Sequence, residues 1–134
     1  MSVYIDTSAF YAIVDTTDAN HRPAVQVWQS LLRDGEALVT SLYVVTETVA
    51  LLHHRFGTDV VSRFVQDDLP VVSVHWIDQA THSAALGAML ATPGRSGPSL
   101  TDCASFEIIR GSRIDRVFAY DRHFRSRGFD LVGE

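Results

Sequence analysis

Short apolar runs of strand length alternate along the chain with longer segments of helical length, and this alternation limits the possible folds more than any other sequence feature. The predicted strands cover residues 3–5, 37–40, 71–74, 116–120 and 131–132. Strands that are separated by helices require crossover connections, which produce parallel pairing. We therefore expect an α/β fold in which a mostly parallel sheet of about five strands carries helices on both faces. In such sheets, binding sites form beyond the carboxyl ends of the strands.

The predicted helix boundaries follow from capping residues and from breaks in the apolar spacing. Candidate N-caps precede most of the predicted helices: Asp6, Asp18, Thr58 or Asp59, Asp78, Ser99 and Asp121. The clearest helix covers Leu42 to Phe56 and stops at Gly57, and Pro70 is expected to end the helix that follows it. No repeat or linker divides the sequence, so we expect a single domain over residues 1–134.

The chain has 134 residues and a formal net charge of -5, and all of its positive side chains are arginines. The absence of lysine excludes Walker-type phosphate loops and Schiff-base enzymes. The negative net charge argues against a protein that simply coats polyanions. The arginines are concentrated after residue 94, so this stretch is the expected site of any nucleic-acid contact, and Arg95, Arg122 and Arg125 are the candidates. The alternative is that they are solvated side chains without such a role.

The single cysteine and the hydropathy pattern predict a cytoplasmic protein. Cys103 has no partner for an internal disulfide, which fits a reducing compartment. No apolar run approaches the roughly 18 residues of a membrane span, and Asp6 interrupts the apolar start of the chain. We therefore expect neither a signal peptide nor a membrane association.

Four acidic residues are expected to converge at one edge of the sheet. Asp6 directly follows the first predicted strand, and Asp121 directly follows the strand predicted to end at Tyr120. Asp102 lies at the start of a helix, and Glu47 lies about a turn and a half into the helix after the second strand. Helices that follow strands begin at the carboxyl edge of the sheet, so one pocket could collect all four carboxylates.

Each acid also has a purely structural interpretation. Asp6 and Asp121 could be helix N-caps, and Asp102 fits a capping box that begins at Ser99. Glu47 is harder to explain in this way, because it lies inside a helix whose residues 44–52 are apolar nearly all round. Such a helix is expected to be buried, and a glutamate is almost never buried without a partner.

Converging carboxylates would either take up protons or bind a cation, because like charges a few ångströms apart repel by roughly 4 kcal/mol per pair at an effective dielectric near 20. The sequence has no Cys/His pattern for zinc, and hard oxygen ligands favour Mg²⁺ or Mn²⁺. The natural chemistry of such a site is the metal-assisted hydrolysis of a phosphodiester.

Several segments in order resemble the PIN-domain ribonucleases, and more narrowly the VapC toxins of toxin–antitoxin pairs. These are Asp6-Thr7-Ser8-Ala9-Phe10, the helical pair Thr46-Glu47, residues 99–106 and residues 119–124 with Gly128-Phe129. The resemblance implies a three-layer α/β/α fold and RNA cleavage that depends on Mg²⁺ or Mn²⁺. It implies that Asp6, Glu47, Asp102 and Asp121 are the catalytic and metal-binding acids. It also implies that the hydroxyl of Ser8 supports the site, although a capping role would explain this serine equally well.

The same resemblance implies partners: an RNA substrate, a second copy of the chain in a homodimer, and a cognate antitoxin protein. Three other functions stay open. The acids could serve a stand-alone nuclease, DNA nuclease or phosphatase without an antitoxin. The chain could be an inactive module that binds RNA or an antitoxin. It could also be an unrelated α/β protein in which all the acids are caps.

Overall fold

A computed structural model describes residues 1–133 of the chain. Its regular elements are β1 (Ser2–Ile5), α1 (Thr7–Val14), α2 (His21–Arg33), β2 (Ala37–Ser41), α3 (Leu42–Phe56), α4 (Thr58–Arg63), β3 (Ser73–His75), α5 (Gln79–Leu90), α6 (Leu100–Gly111), β4 (Arg116–Phe118) and α7 (Arg122–Ser126). A π-helical turn (Phe64–Asp68) and a 3₁₀ turn (Leu69–Val71) join α4 to β3.

The four strands form one parallel sheet in the order β3-β2-β1-β4. The chain adds β2 and β3 on one side of β1 and then returns to add β4 on the other side. The strand order therefore reverses between β1 and β4, and ligands of open α/β sheets bind at such a point. The backbone N–H of Asp6 donates to the carbonyl of Phe118 at 3.0 Å, which joins the carboxyl ends of these two strands.

Helices cover both faces of the sheet. Right-handed crossovers place α1 to α4 on one face and α5 and α6 on the other, because the connection from β3 to β4 runs in the opposite direction. Most helix contacts agree with this arrangement: α1 packs on α2 and α3, α3 packs on α4, and α5 packs on α6. In addition, α3 contacts α6 of the other group. The expected α/β/α fold with a parallel sheet is therefore confirmed.

The core lies on both sides of the central strands. Tyr4 of β1 and Phe118 of β4 are fully buried, together with Phe10 of α1. The ring of Phe10 makes an edge contact with Phe64, whose centroid lies 5.2 Å away. Burying large aromatic side chains on both faces of β1 and β4 fixes these two strands, and with them the residues that follow.

Local details differ from the predictions where non-local contacts compete with local signals. The predicted fifth strand forms only an isolated parallel bridge between Leu131 and Val117. The strand predicted to end at Tyr120 stops at Phe118. Pro70 does not end the helix before it: it sits in the first turn of the 3₁₀ segment, where its missing N–H has no partner to lose. The third strand therefore starts at Ser73, two residues later than predicted.

Four of the six predicted cap sites are confirmed, because Asp6, Asp78, Ser99 and Asp121 each cap the helix that follows. The other two, at Asp18 and at Thr58 or Asp59, are wrong. The N-cap of α2 is Asn20, while Asp18 accepts the backbone N–H of Asn20 within the preceding turn. Gly57 occupies the cap position of α4, so Thr58 and Asp59 lie inside that helix. Asp78 does cap α5, and its carboxylate accepts the N–H of Thr81 at 2.7 Å.

Candidate active site

The carboxylate of Asp6 is buried at the carboxyl end of β1, where it caps α1. Its Oδ2 accepts hydrogen bonds from the backbone N–H of Ser8 at 3.1 Å and from the Ser8 hydroxyl at 2.6 Å. The same hydroxyl accepts the backbone N–H of Tyr120 at 2.9 Å. Ser8 is therefore not a cap. It ties Asp6 to the segment that follows β4.

Asp102 and Asp121 reach the same place from two other helix starts. Asp102 is buried and forms a complete capping box with Ser99, with hydrogen bonds of 3.0 and 3.1 Å. Asp121 caps α7 by accepting the backbone N–H of His123 at 2.8 Å. The structural and the functional interpretations of these aspartates are thus compatible. One carboxylate oxygen serves the cap, and the second is left for a ligand.

Burial and charge repulsion raise the pKa values of Asp6 and Asp102. The pKa of Asp6 is about 7: burial raises it most, the charges of Asp102 and Asp121 also raise it, and the hydrogen bonds from Ser8 lower it. Burial and the charge of Asp121 also raise the pKa of Asp102. Acids whose charged forms are disfavoured by burial and by one another are typical of functional sites. A divalent cation would relieve both the repulsion and the desolvation.

The residues fit a divalent metal ion. Asp102, Asp121 and His123 each offer one ligand atom, and these atoms lie within 4.8 Å of one another. Thr7 follows Asp6, and its buried hydroxyl has no hydrogen-bond partner among residues 1–133. Thr7 and the three aspartates line one cavity, which we call the acidic cavity. The oxygen donors suit both Mg²⁺ and Mn²⁺. The imidazole of His123 is a nitrogen donor, and Mn²⁺ accepts such a ligand more readily than Mg²⁺ does.

Glu47 lies in the wall of the same cavity, which has a volume of about 470 Å³ and also contains Asp6, Asp102 and Asp121. The structure thus brings the four predicted acids to one cavity. The expectation of a buried helix around Glu47 is wrong, because Thr46, Ala50 and Leu51 are exposed and Glu47 is only half-buried. Among the described residues, the ligand atoms that lie within 4.8 Å of one another belong to Asp102, Asp121 and His123, and Glu47 is not in this group.

Comparisons with known proteins agree with this geometry. The family model described as "PIN domain" matches residues 3–130. The chain belongs to the PIN-domain family. It is 28% identical over 128 residues to a 23S rRNA-specific endonuclease of Mycobacterium tuberculosis, VapC20, and the match covers 95% of each chain.

Solved structures resemble this PIN domain closely. The crystal structure of Mycobacterium tuberculosis VapC20, described as a toxin that cleaves the sarcin–ricin loop, has a TM-score of 0.80 at 27% identity, with 95% of each chain covered. VapBC2 of Rickettsia felis, bound to a promoter DNA fragment, has a TM-score of 0.69. That likeness covers 98% of this chain and 97% of the other at 9% identity, so it supports the fold alone.

The cavity of this PIN domain contains residues that sequence reasoning did not assign to a site. From its position beside Asp121, His123 could equally approach the site or serve packing or phosphate contact. The structure places it in the cavity, with a ligand atom within 4.8 Å of those of Asp102 and Asp121. Asp18 was interpreted as a cap, and Tyr11 and Asn20 were not singled out, although all three line the cavity. No local signal marks them, because their position depends on how the turn between α1 and α2 folds over the sheet edge.

Within residues 1–133, no helix combines the length and the hydrophobicity that crossing a lipid bilayer would require.

Proposed function

We propose that this PIN domain is a metal-dependent endoribonuclease that acts as the toxin of a toxin–antitoxin pair. The observation that carries the proposal is the gathering of Asp6, Asp102 and Asp121 at the point where the strand order reverses. The similarity to a relative that is named a 23S rRNA-specific endonuclease supports RNA as the substrate. Action on ribosomal RNA would place the protein in the cytoplasm.

The aspartates would hold Mg²⁺ or Mn²⁺, directly or through water, with the oxygens that the helix caps leave available. When bound, the ion supplies a water of lowered pKa, neutralises the phosphate and stabilises the leaving oxygen. Glu47, which lines the same cavity, would orient the attacking water or complete the ligand shell. Ser8 would keep Asp6 in position, since its hydroxyl donates to the Asp6 carboxylate and accepts the backbone N–H of Tyr120.

Arginines would position the RNA backbone, since the chain has no lysine. Arg122 lies next to Asp121, and its guanidinium donates to the carbonyl of Ser96 at 3.4 Å, which connects α7 with the loop that carries Arg95. Arg95 and Arg122 are exposed beside the cavity, and Arg125 lies one turn further along α7. We expect a structured RNA with an accessible loop to be the target, because specific cleavage needs unstacked bases.

The proposal is tested by incubating the purified protein with an RNA stem–loop, single-stranded DNA and a phosphomonoester in the presence of Mn²⁺. The expected result is cleavage of the RNA at a discrete site, with loss of activity when EDTA is added. Cleavage of DNA or of the monoester alone would replace the proposal with one of the alternative phosphohydrolase functions. Cleavage of RNA in EDTA would contradict the metal-dependent mechanism.

Glu47→Gln is expected to reduce Mn²⁺-dependent RNA cleavage by about 10- to 100-fold, the range seen when outer-shell partners of a metal are removed. The effect is expected to be smaller than that of Asp102, because Glu47 is not in the group of ligand atoms that Asp102 forms with Asp121 and His123. Glu107→Gln is the matched control, since Glu107 is an exposed glutamate of α6. Initial rates of RNA cleavage measure the effect, and full activity of Glu47→Gln would remove Glu47 from the site.

Inhibition by an antitoxin and a homodimer complete the proposed function. Trp76 is 78% exposed and Leu90 is 70% exposed, and an interface with another protein would remove these apolar side chains from water. A short reading frame next to the gene, encoding a protein with a DNA-binding N-terminus, would support the toxin assignment. If co-expression of that protein did not relieve growth inhibition, the toxin half of the proposal would fail while the nuclease half would stand.

A further inference from the structure

A second cavity adjoins the acidic cavity and shares a wall with it. This base pocket has a volume of about 180 Å³. Tyr120 and Asp121 line both cavities. Its other walls come from α2, α7 and the segment that ends the described chain, through Pro23, Val27, Arg122, Arg125, Leu131 and Val132. The pocket is therefore lined by apolar residues and by two arginines, directly beside the candidate catalytic acids.

The shared wall is held rigidly relative to the acids. The backbone N–H of Tyr120 donates to the Ser8 hydroxyl, which in turn donates to Asp6. The ring of Tyr120 makes an edge contact with Phe118, whose centroid lies 5.9 Å away. Tyr120 is nevertheless 36% exposed. An aromatic ring that is fixed by the backbone and still accessible can contact a ligand without losing much conformational entropy.

We propose that the base pocket receives one unstacked nucleobase, next to the phosphodiester that is cut. The inference rests on the proposed function and deepens it, because it makes this pocket a specificity determinant of the same reaction. Single-stranded RNA is recognised by splaying bases onto aromatic rings and arginine side chains, and the pocket is lined by Tyr120 and by two arginines. Tyr120 and Asp121 form the wall between the base pocket and the acidic cavity. A base in this pocket would therefore belong to a nucleotide next to the scissile phosphate.

The chemistry of the walls favours a base over a phosphate group or a metal ion. A phosphate would satisfy the guanidinium groups of Arg122 and Arg125 but would leave Val27 and Leu131 facing a charged group. A metal ion would be repelled by the two arginines. A nucleobase is planar, with apolar faces and polar edges. Its faces would contact the apolar walls, while the adjoining phosphates would lie near the arginines.

The experiment uses an RNA stem–loop cut by the wild-type protein in Mn²⁺, after its cleavage site has been mapped. Two further substrates carry an abasic ribose, one on each side of the cut, so that the backbone charge is unchanged. We expect one of the two to lower kcat/KM by about tenfold or more, as the loss of a stacked base does. Equal cleavage of both abasic substrates and the intact RNA would overturn the inference.

A variant that fills the pocket provides the second arm. Val27 is half-buried on α2, away from the acids, and Val27→Trp is expected to cut intact RNA about as slowly as the wild type cuts the sensitive abasic RNA. The abasic substitution should cost this variant nothing more, because base and pocket are then no longer in contact. Gln26→Trp, an exposed neighbour on the same helix, is the matched control. An undiminished abasic penalty in Val27→Trp would contradict the inference.

The two arms separate this inference from the proposed function. If the wild type cuts no RNA at all, the proposed function fails and the base pocket fails with it. If the wild type cuts intact and abasic RNA alike, the nuclease stands and only the base pocket is lost. Melting temperatures of Val27→Trp and Gln26→Trp show whether the fold has survived, and the abasic arm needs no variant.

Discussion

Asp102→Asn is expected to lower Mn²⁺-dependent RNA cleavage by at least about 10³-fold without loss of the fold. The substitution preserves volume and a side-chain oxygen that can accept the Ser99 N–H, so the capping box of α6 can persist. It removes one negative charge from the group that would hold the cation. Transition-state stabilisation by a metal is worth several kcal/mol, and about 4 kcal/mol corresponds to three orders of magnitude in rate.

Asp78→Asn is the matched control for Asp102→Asn. Asp78 is the N-cap of α5 and Asp102 is the N3 residue of the α6 capping box, so both carboxylates accept a backbone N–H at a helix start. Asp78 is exposed and does not line the acidic cavity. Single-turnover cleavage rates and growth inhibition on expression without an antitoxin provide two independent measurements. If Asp102→Asn retained full metal-dependent activity, or inhibited growth as strongly as the wild type, the site assignment would be wrong.

Asp6→Asn is expected to make the metal-free protein more stable at pH 8, by about 2–4 kcal/mol, while abolishing RNA cleavage. Burial holds the pKa of Asp6 near 7 in the folded protein, whereas the unfolded chain has an ordinary aspartate pKa of 3.8. Between these values the folded state binds a proton that the unfolded state has released. Stability therefore falls as the pH rises from about 4 to about 7, and it stays low above that.

The size of the Asp6→Asn effect follows from the pKa difference of about three units, at 1.36 kcal/mol for each unit, with relaxation of the site reducing the full value. Asparagine has no charge to desolvate, so the gain should be near zero at pH 4 and largest at pH 8. Urea unfolding in EDTA at both pH values measures it.

Asp78→Asn serves as the control here as well, because hydrogen bonds to Thr81 lower the pKa of Asp78. Replacing the charged Asp78 by asparagine is expected to change the stability in the opposite direction, so that Asp78→Asn is less stable than the wild type at neutral pH. Adding Mn²⁺ should then stabilise the wild type but not Asp6→Asn. A variant at position 6 that is no more stable than the wild type at pH 8 would contradict the buried, repelled state of this carboxylate.

The capping residues show how much of the site was predictable from the sequence. The Ser99–Asp102 capping box and the Asp6 and Asp121 caps each depend on residues within three positions, so a sequence motif indicates them correctly. Glu47 was predicted for the right cavity from its position early in the helix after the second strand. The burial predicted for α3 was wrong, because it depends on which faces of the helix the other helices cover. Local pattern alone does not contain that information.

The sequence by itself determined the alternation of strands and helices and the placement of three aspartates where strands end or helices begin. These features depend on side-chain periodicity and on hydrogen bonds between near neighbours. Only the tertiary structure decided that β1 lies beside β4, more than 100 residues away, and hence that Asp6 meets Asp102 and Asp121. It also decided that Tyr120 separates two cavities. Strand order and cavity shape depend on the packing of distant residues into one core. The free energy of that packing cannot be read from any short stretch of sequence.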